Sequence, residues 1–297
     1  MLYSLITFLC WGIADLFYKK GNSKAENYNH IKTGIVVGIV MGIHAFIYML
    51  VNRVNIKMFE ILYYLPVSLC YIISMVIGYK ALRYIELSLA SPVQNTSGVI
   101  TSVLLLIFFK DRYPVLAYIA FALIFCSIFY ICLLERKEDI EERKFTASLG
   151  KNKTIKLLAI LLPIAYCMFD GLGTFLDGIY LDKREWISED NALVAYEFTF
   201  FFYAMFSLIY LKGKKDKFQL FHEKEKISAA IFETAGQFFY VFAMANDSVI
   251  SASIVGSYCV LSMLLSRIFL KEKLSLKKYV AIGTAIVGLV ILLILEV

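Results

Sequence analysis

Long apolar runs alternate with short polar turns along almost the whole chain. Each run is close to the roughly 20 residues that an α-helix needs to cross the hydrocarbon core of a bilayer. The pattern predicts an all-α integral membrane protein with ten transmembrane helices. The predicted spans are residues 2–19, 33–52, 60–79, 88–109, 114–134, 157–177, 192–211, 227–245, 249–270 and 278–296.

The composition agrees with a membrane protein and argues against metal, cofactor and nucleic-acid binding. Hydrophobic residues make up 60% of the 297 positions and charged residues only 18%, against about 25% charged in an ordinary soluble domain. The six cysteines lie in apolar stretches, without a CxxC pair or a histidine at metal-ligand spacing, so no metal and no cofactor is expected. The net charge of +6 lies in short loops, which points to lipid headgroups rather than nucleic acid.

A polar, mixed-charge stretch divides the apolar runs into two groups of five. The halves are residues 1–135 and 157–297, and the linker is 136–156. A shift of 161 positions places "IFFKDRYPVLAYIA", from Ile107, over "IFLKEKLSLKKYVA", from Ile268, so that Asp111 meets Glu272. Because each half has an odd number of spans, the second half enters the membrane from the opposite side. The sequence therefore predicts two inverted five-helix repeats, as in secondary transporters.

Loop charges predict the orientation. Loops after odd-numbered spans carry 23 lysines and arginines, and the other loops carry 6. Because basic loops stay in the cytoplasm, both termini are predicted outside and the linker inside. We expect a multi-pass protein of the plasma membrane, as a monomer or a homodimer.

Three short motifs carry a family resemblance. The first span contains "CWGIADLFYKK", and the turns between the last two spans of the halves read "KDR" and "KEKLS". With ten spans in two halves, the chain resembles the drug/metabolite transporter superfamily, specifically its ten-helix EamA-type members. The resemblance implies alternating access, a cavity near the midplane lined mainly by helices 1, 3, 4, 6, 8 and 9, and peripheral helices 5 and 10. It also implies that Asp170 matches the place where the small multidrug resistance pumps carry an essential acid.

Ionisable residues inside the predicted spans suggest the cargo. Each costs about 2.5–3.5 kcal/mol near the bilayer centre, so it needs a partner or a role. The acids outnumber the bases His44 and Arg267, which favours a cationic or amine-containing substrate or proton coupling. The acids are Asp15, Asp170, Asp177, Glu197 and Glu233.

Helical spacing groups these acids with other polar side chains. Asp170, Thr174 and Asp177 share one face of the sixth span, while Trp11 and Asp15 share one face of the first. An indole beside a carboxylate suits an ammonium group. The alternatives are that Asp170 only bonds a neighbouring helix, that Trp11 only packs, and that Asp177 is hydrated near the interface.

The later spans add further candidates. Glu233 and Gln237 share a face of the eighth span, and Glu197 lies in the seventh, near enough to a charged loop to be hydrated. Asp170, Glu233 and His44 are candidates for proton coupling, although a lone histidine is more often a buried structural residue. The remaining candidates either bind substrate or fasten helices together; they are Gln94, Asn95 and Tyr258.

Three functions compete for this pattern. The stretch "FDGLGT" resembles the GxGD signature of membrane aspartyl proteases, but Thr174 stands where the second acid should be. HExxH, GxSxG and Walker-type motifs are absent from the sequence, so we expect no enzyme. We predict a secondary transporter that moves a small cationic or amine-containing metabolite by alternating access, with proton coupling or exchange. A flippase of a lipid-linked substrate is the alternative.

Overall fold

The computed structural model describes residues 2–22, 28–84, 87–147, 153–216 and 218–295. Within these ranges the chain is helical and contains no strand. This follows from the apolar sequence, because a helix satisfies all its own backbone hydrogen bonds in lipid. The helices are α1 (Leu2–Gly21), α2 (Asn29–Asn52), α3 (Met58–Ala81), α4 (Leu87–Phe109), α5 (Val115–Ala147), α6 (Lys153–Asp177), α7 (Glu189–Gly213), α8 (Lys224–Asn246), α9 (Ser248–Val255), α10 (Cys259–Leu265) and α11 (Leu276–Leu295).

Eight segments of the described chain are long and apolar enough to cross a membrane. They are α2, α3, α7, α8, α11, the apolar parts of α4 and α5, and the stretch Ser248–Leu270. The predicted linker at 136–156 overlaps the end of α5 and the start of α6, and its residues 148–152 lie outside the described ranges.

Short irregular helices interrupt the regular ones at two places. α6 passes directly into a π-helical segment, Gly178–Lys183, and α10 passes into another, Ser266–Leu270. Between α9 and α10 the chain turns at Gly256–Tyr258, so the predicted ninth span is broken in its middle, without a proline. Asp247 begins α9 by accepting hydrogen bonds from the backbone N–H groups of Val249 and Ile250.

Helix packing forms two apolar clusters. One joins α1, α2, α3, α7 and α8 with the start of α4 and part of α9, and the other joins α4, α5, α9, α10 and α11. The main pairs are α1 with α8, α3 with α6, α2 with α7, and α5 with α11. Close approach requires small residues: a Cβ on Gly38 of α2 would lie 2.2 Å from the Phe200 carbonyl oxygen of α7.

Contacts between turns define two ends of the bundle. At the linker end, the C-terminus of α1 meets the N-terminus of α2, where Asn29 donates to the Gly21 carbonyl. At the opposite end, the turn after α4 meets the turn after α6, where Lys183 contacts Asp111. We use these two names for the ends below.

Candidate functional site

A polar cavity lies between the helices, with a volume of about 60 Å³. This is room for on the order of five water molecules. Its walls come from α1, α3, α4, α6, α8, α9 and the turn before α10, with one residue of α7, and neither α5 nor α11 contributes. Nine of the ten predicted binding residues line it: Trp11, Asp15, Gln94, Asn95, Asp170, Thr174, Glu233, Gln237 and Tyr258.

Asp15 of α1 is held by two serines from other helices. Its Oδ2 atom accepts hydrogen bonds from Ser91 Oγ of α4 at 2.6 Å and from Ser262 Oγ of α10 at 2.7 Å. The carboxyl group is buried but also belongs to the cavity wall. These contacts fix its position and join the first and second halves of the chain.

Asp170 of α6 is also held by a serine from another helix. Its Oδ2 atom accepts a hydrogen bond of 2.6 Å from Ser97 Oγ of α4. Thr174, one turn further, donates back to the Asp170 carbonyl oxygen at 2.9 Å. Thr101 donates to the carbonyl oxygen of Gly171, so α4 and α6 are joined along this face.

Glu233 of α8 is the third acid of the cavity. Its side chain is buried, and the Tyr18 hydroxyl group of α1 is beside it. Three carboxyl groups thus share one small space, while the described lining residues include no lysine, arginine or histidine. An ionised carboxylate away from water needs a cation or strong hydrogen bonds to offset its lost hydration.

Trp11 forms part of an aromatic wall. Its ring centroid is 5.0 Å from that of Tyr240 and 5.8 Å from that of Tyr258. Its Nε1 atom donates to the Glu233 carbonyl oxygen at 3.3 Å. The indole N–H therefore has a backbone partner, and only the ring itself is available for a bound cation. Gly236 lets α8 approach, because a Cβ there would lie 2.4 Å from Trp11 Cδ1.

The amide side chains in the wall differ in their hydrogen bonding. Asn95 donates to the carbonyl oxygen of Ser91, one turn back on the same helix, at 2.8 Å. The Nε2 atoms of Gln94 and Gln237 are buried and have no hydrogen-bond partner among the described residues. Asn95 therefore has a role inside α4, whereas the two glutamines present free donors.

Glu197 and His44 lie outside the cavity and contact each other. His44 Nδ1 of α2 lies 2.8 Å from both carboxyl oxygens of Glu197 of α7. The expectation that Glu197 is hydrated is wrong, because its side chain is completely buried. The pair joins α2 to α7 and is separate from the lining residues.

Asp177 is also buried rather than hydrated, so that expectation is wrong as well. It accepts hydrogen bonds from the hydroxyl groups of Tyr64 and Tyr71. The Tyr71 hydroxyl lies 2.7 Å from that of Tyr240, and both of these rings line the cavity. We call Tyr64, Tyr71, Tyr240 and Asp177 the tyrosine layer. It lies on the side of the cavity nearer the opposite end, since Asp177 is the last residue of α6.

An ionic cluster lies beyond this layer, at the opposite end. Lys183 Nζ is 2.6 Å from Asp111 and 2.8 Å from Asp182. Burial lowers the pKa of Lys183, but the carboxyl groups of Asp111 and Asp182 more than offset this, so the pKa lies above its usual value. Tyr113 donates to Asp247 at 3.0 Å. The cluster joins the two halves of the chain.

Sequence reasoning missed the tyrosines of α3 and the serines that hold the acids. Tyr64 and Tyr71 are seven residues apart, so they share a helical face, and this spacing was the available signal. The sequence contains no such signal for the serines, because Ser91 and Ser262 are 76 and 247 positions from Asp15. Arg267, one of the two bases in the predicted spans, donates to the Glu272 carbonyl oxygen.

Comparisons with known proteins agree with this architecture. The EamA-like transporter family model matches residues 1–133 and 157–294. The chain therefore belongs to the EamA-like transporter family, within the drug/metabolite transporter superfamily. It is a multi-pass membrane protein.

Solved structures support the fold alone. One of them, a crystal structure described simply as that of a protein, has a TM-score of 0.66 and 10% sequence identity. The alignment covers 100% of this chain and 98% of that one. The search of curated proteins finds no match.

Proposed function

We propose that this transporter moves a small cationic or amine-containing solute by alternating access, with proton coupling or exchange. The observation that carries the proposal is the cavity itself, in which Asp15, Asp170 and Glu233 meet without a basic side chain among the described lining residues. A bound ammonium offsets the cost of burying carboxylates. A phosphate or nucleotide sugar would meet like charge in this cavity and would be repelled.

The proposed architecture is ten spans in two inverted repeats. The pairing of helices supports it, since α1 packs on α8 as α3 packs on α6, while α2 pairs with α7 and α5 with α11. An exchange of halves maps this set of pairs onto itself. The two regions matched by one family model support it further, as inverted repeats are common in secondary transporters.

Contacts between the two halves are present towards both ends of the bundle. The tyrosine layer and the ionic cluster lie towards the opposite end, while at the linker end Glu272 accepts hydrogen bonds from the backbone N–H groups of Leu87 and Ser88, and Lys32 contacts Asp216. In alternating access, these two sets of contacts would separate in turn. The plasma membrane location and the external termini remain part of the proposal.

Proton coupling is assigned to Asp170 and Glu233 rather than to His44. Both acids face the cavity, where a proton and a cation compete for the same carboxylate. His44 is occupied by Glu197 outside the cavity. We therefore assign His44 to the α2–α7 contact.

The test is a binding and transport assay on the purified chain. Thermal stabilisation is measured with amines, amino acids, choline-like cations and nucleotide sugars, followed by counterflow of the best amine in proteoliposomes at several pH values. We expect amines to stabilise the wild type, and Asp170→Asn and Glu233→Gln to lose binding or its pH dependence.

Glu225→Gln is the matched control, because Glu225 lies on the same helix as Glu233 but is exposed at its first turn. This variant should behave like the wild type. Stabilisation by nucleotide sugars alone would contradict the charge argument. Full pH-dependent transport in both cavity variants would contradict the assignment of the site.

A further inference from the structure

Two hydrogen-bond donors of cavity-lining side chains have no partner among the described residues. Gln94 of α4 and Gln237 of α8 are 5% and 1% exposed, and the Nε2 atom of each is buried and unpaired. A buried donor without an acceptor costs about 1–3 kcal/mol. Two such donors in one wall require an explanation, and an acceptor on the cargo supplies one.

The two amides come from different halves of the chain and face the same space. Gln94 lies beside Gly78, where a Cβ would be 3.4 Å from its Nε2 atom, and Gly78 also lines the cavity. Gln237 is one turn after Glu233 on α8, so the amide follows the carboxyl group along one face. A ligand held by the acids therefore has amide donors within the same cavity.

The charge of the wall restricts the acceptor. Three acids and no base among the described lining residues disfavour a carboxylate on the cargo, because it would be buried without a cation. A second ammonium group would place its own N–H donors against the amide N–H donors. A neutral oxygen satisfies both amides and meets no repulsion.

We infer that the cargo is a small amine that also carries a neutral hydrogen-bond acceptor, such as a hydroxyl, ether or carboxamide oxygen. This rests on the proposed function, because the acids must bind the amine. Gln94 and Gln237 then determine specificity.

Four three-carbon amines test the inference, since they differ only in the group at the end of the molecule away from the shared amine. They are propylamine, 3-amino-1-propanol, 1,3-diaminopropane and β-alanine, and their dissociation constants are measured on the purified full chain. We expect 3-amino-1-propanol to bind about tenfold more tightly than propylamine, or about threefold for each amide. Diaminopropane and β-alanine should bind no more tightly than propylamine.

Variants connect the preference to the amides. Gln94→Met and Gln237→Met remove the donors at similar length, so each should reduce the advantage of the amino alcohol over propylamine, measured on the same variant, about threefold. Gln237→Glu replaces a donor by an acceptor and should make diaminopropane the tightest probe. Gln219→Leu is the control, because Gln219 is exposed outside the cavity.

The outcomes distinguish a failure of this inference from a failure of the proposed function. If propylamine binds as tightly as the amino alcohol and still requires Glu233, the inference is wrong and the proposed function stands. Tighter binding of diaminopropane or β-alanine to the wild type would also overturn it. If no amine binds, the proposed function fails and the inference fails with it.

Discussion

The close approach of α4, at Gly98, to the end of α9 and the turn after it, at Gly256, gives a specific prediction. A Cβ on Gly98 would lie 2.8 Å from the Ala252 carbonyl oxygen and 2.8 Å from Gly256 Cα. Both contacts are with backbone, so no side chain can rotate away. Ordinary contact begins at 3.4 Å, and the helices would have to separate by about 0.6 Å to restore it, because cores resist overpacking.

Two opposing effects determine how Gly98→Ala changes the free energy of unfolding. Overpacking of this kind costs about 1–3 kcal/mol, while alanine in place of glycine in a helix gains about 0.5–1 kcal/mol. Taking the middle of each range, we expect Gly98→Ala to lower the free energy of unfolding by about 1 kcal/mol. Because Gly98 and Gly256 line the cavity, amine binding should weaken as well.

Gly283→Ala is the matched control, since a Cβ at this exposed position of α11 has nothing within 4 Å. It should raise the free energy of unfolding by about 0.5–1 kcal/mol. The assay is unfolding of purified protein in detergent by denaturant titration. The reasoning is refuted if Gly98→Ala is as stable as the wild type, or if both variants change stability in the same direction.

Three further perturbations test contacts outside the cavity. His44→Ala leaves Glu197 buried without its partner, so it should lose about 1–3 kcal/mol in the same titration, and adding Glu197→Gln should recover part of the loss; an unchanged double variant would contradict this. Tyr64→Phe removes a donor to Asp177 and should lower the midpoint temperature of unfolding, whereas an unchanged midpoint would mean that water replaces the hydroxyl group. Lys183→Met removes ion pairs that salt screens, so the wild type should lose stability with added NaCl more than the variant does, and equal salt dependence would disprove a role for the cluster.

Much of the fold could be predicted from the sequence, because membrane-spanning helices are recognised by their length and apolar composition. The predicted fourth span, 88–109, differs from α4 by one residue at its start. The break at Gly256–Tyr258 was not predicted, since it contains no proline. It lies beside Gly98 of α4, and this contact between distant parts of the chain is visible only in the packed structure.

The cavity residues were predictable for a related reason. A polar group in lipid is costly, so Asp15, Asp170 and Glu233 had to point inward, and the interior of the bundle holds one shared space. Depth along a helix was less predictable, because Glu197 and Asp177 looked close to an interface. Burial of both depends on partners from distant helices, which spacing within one helix cannot reveal.

The tyrosine layer differs from a hydrophobic plug in its thermodynamics. Separating Tyr71 from Tyr240 and Asp177 would expose hydroxyl and carboxyl groups together with the carbon of buried rings. Apolar exposure raises the heat capacity and polar exposure lowers it, so opening this end should carry a smaller heat-capacity change than opening an aliphatic plug of the same area. The balance between the two access states would then curve less with temperature than it would with such a plug.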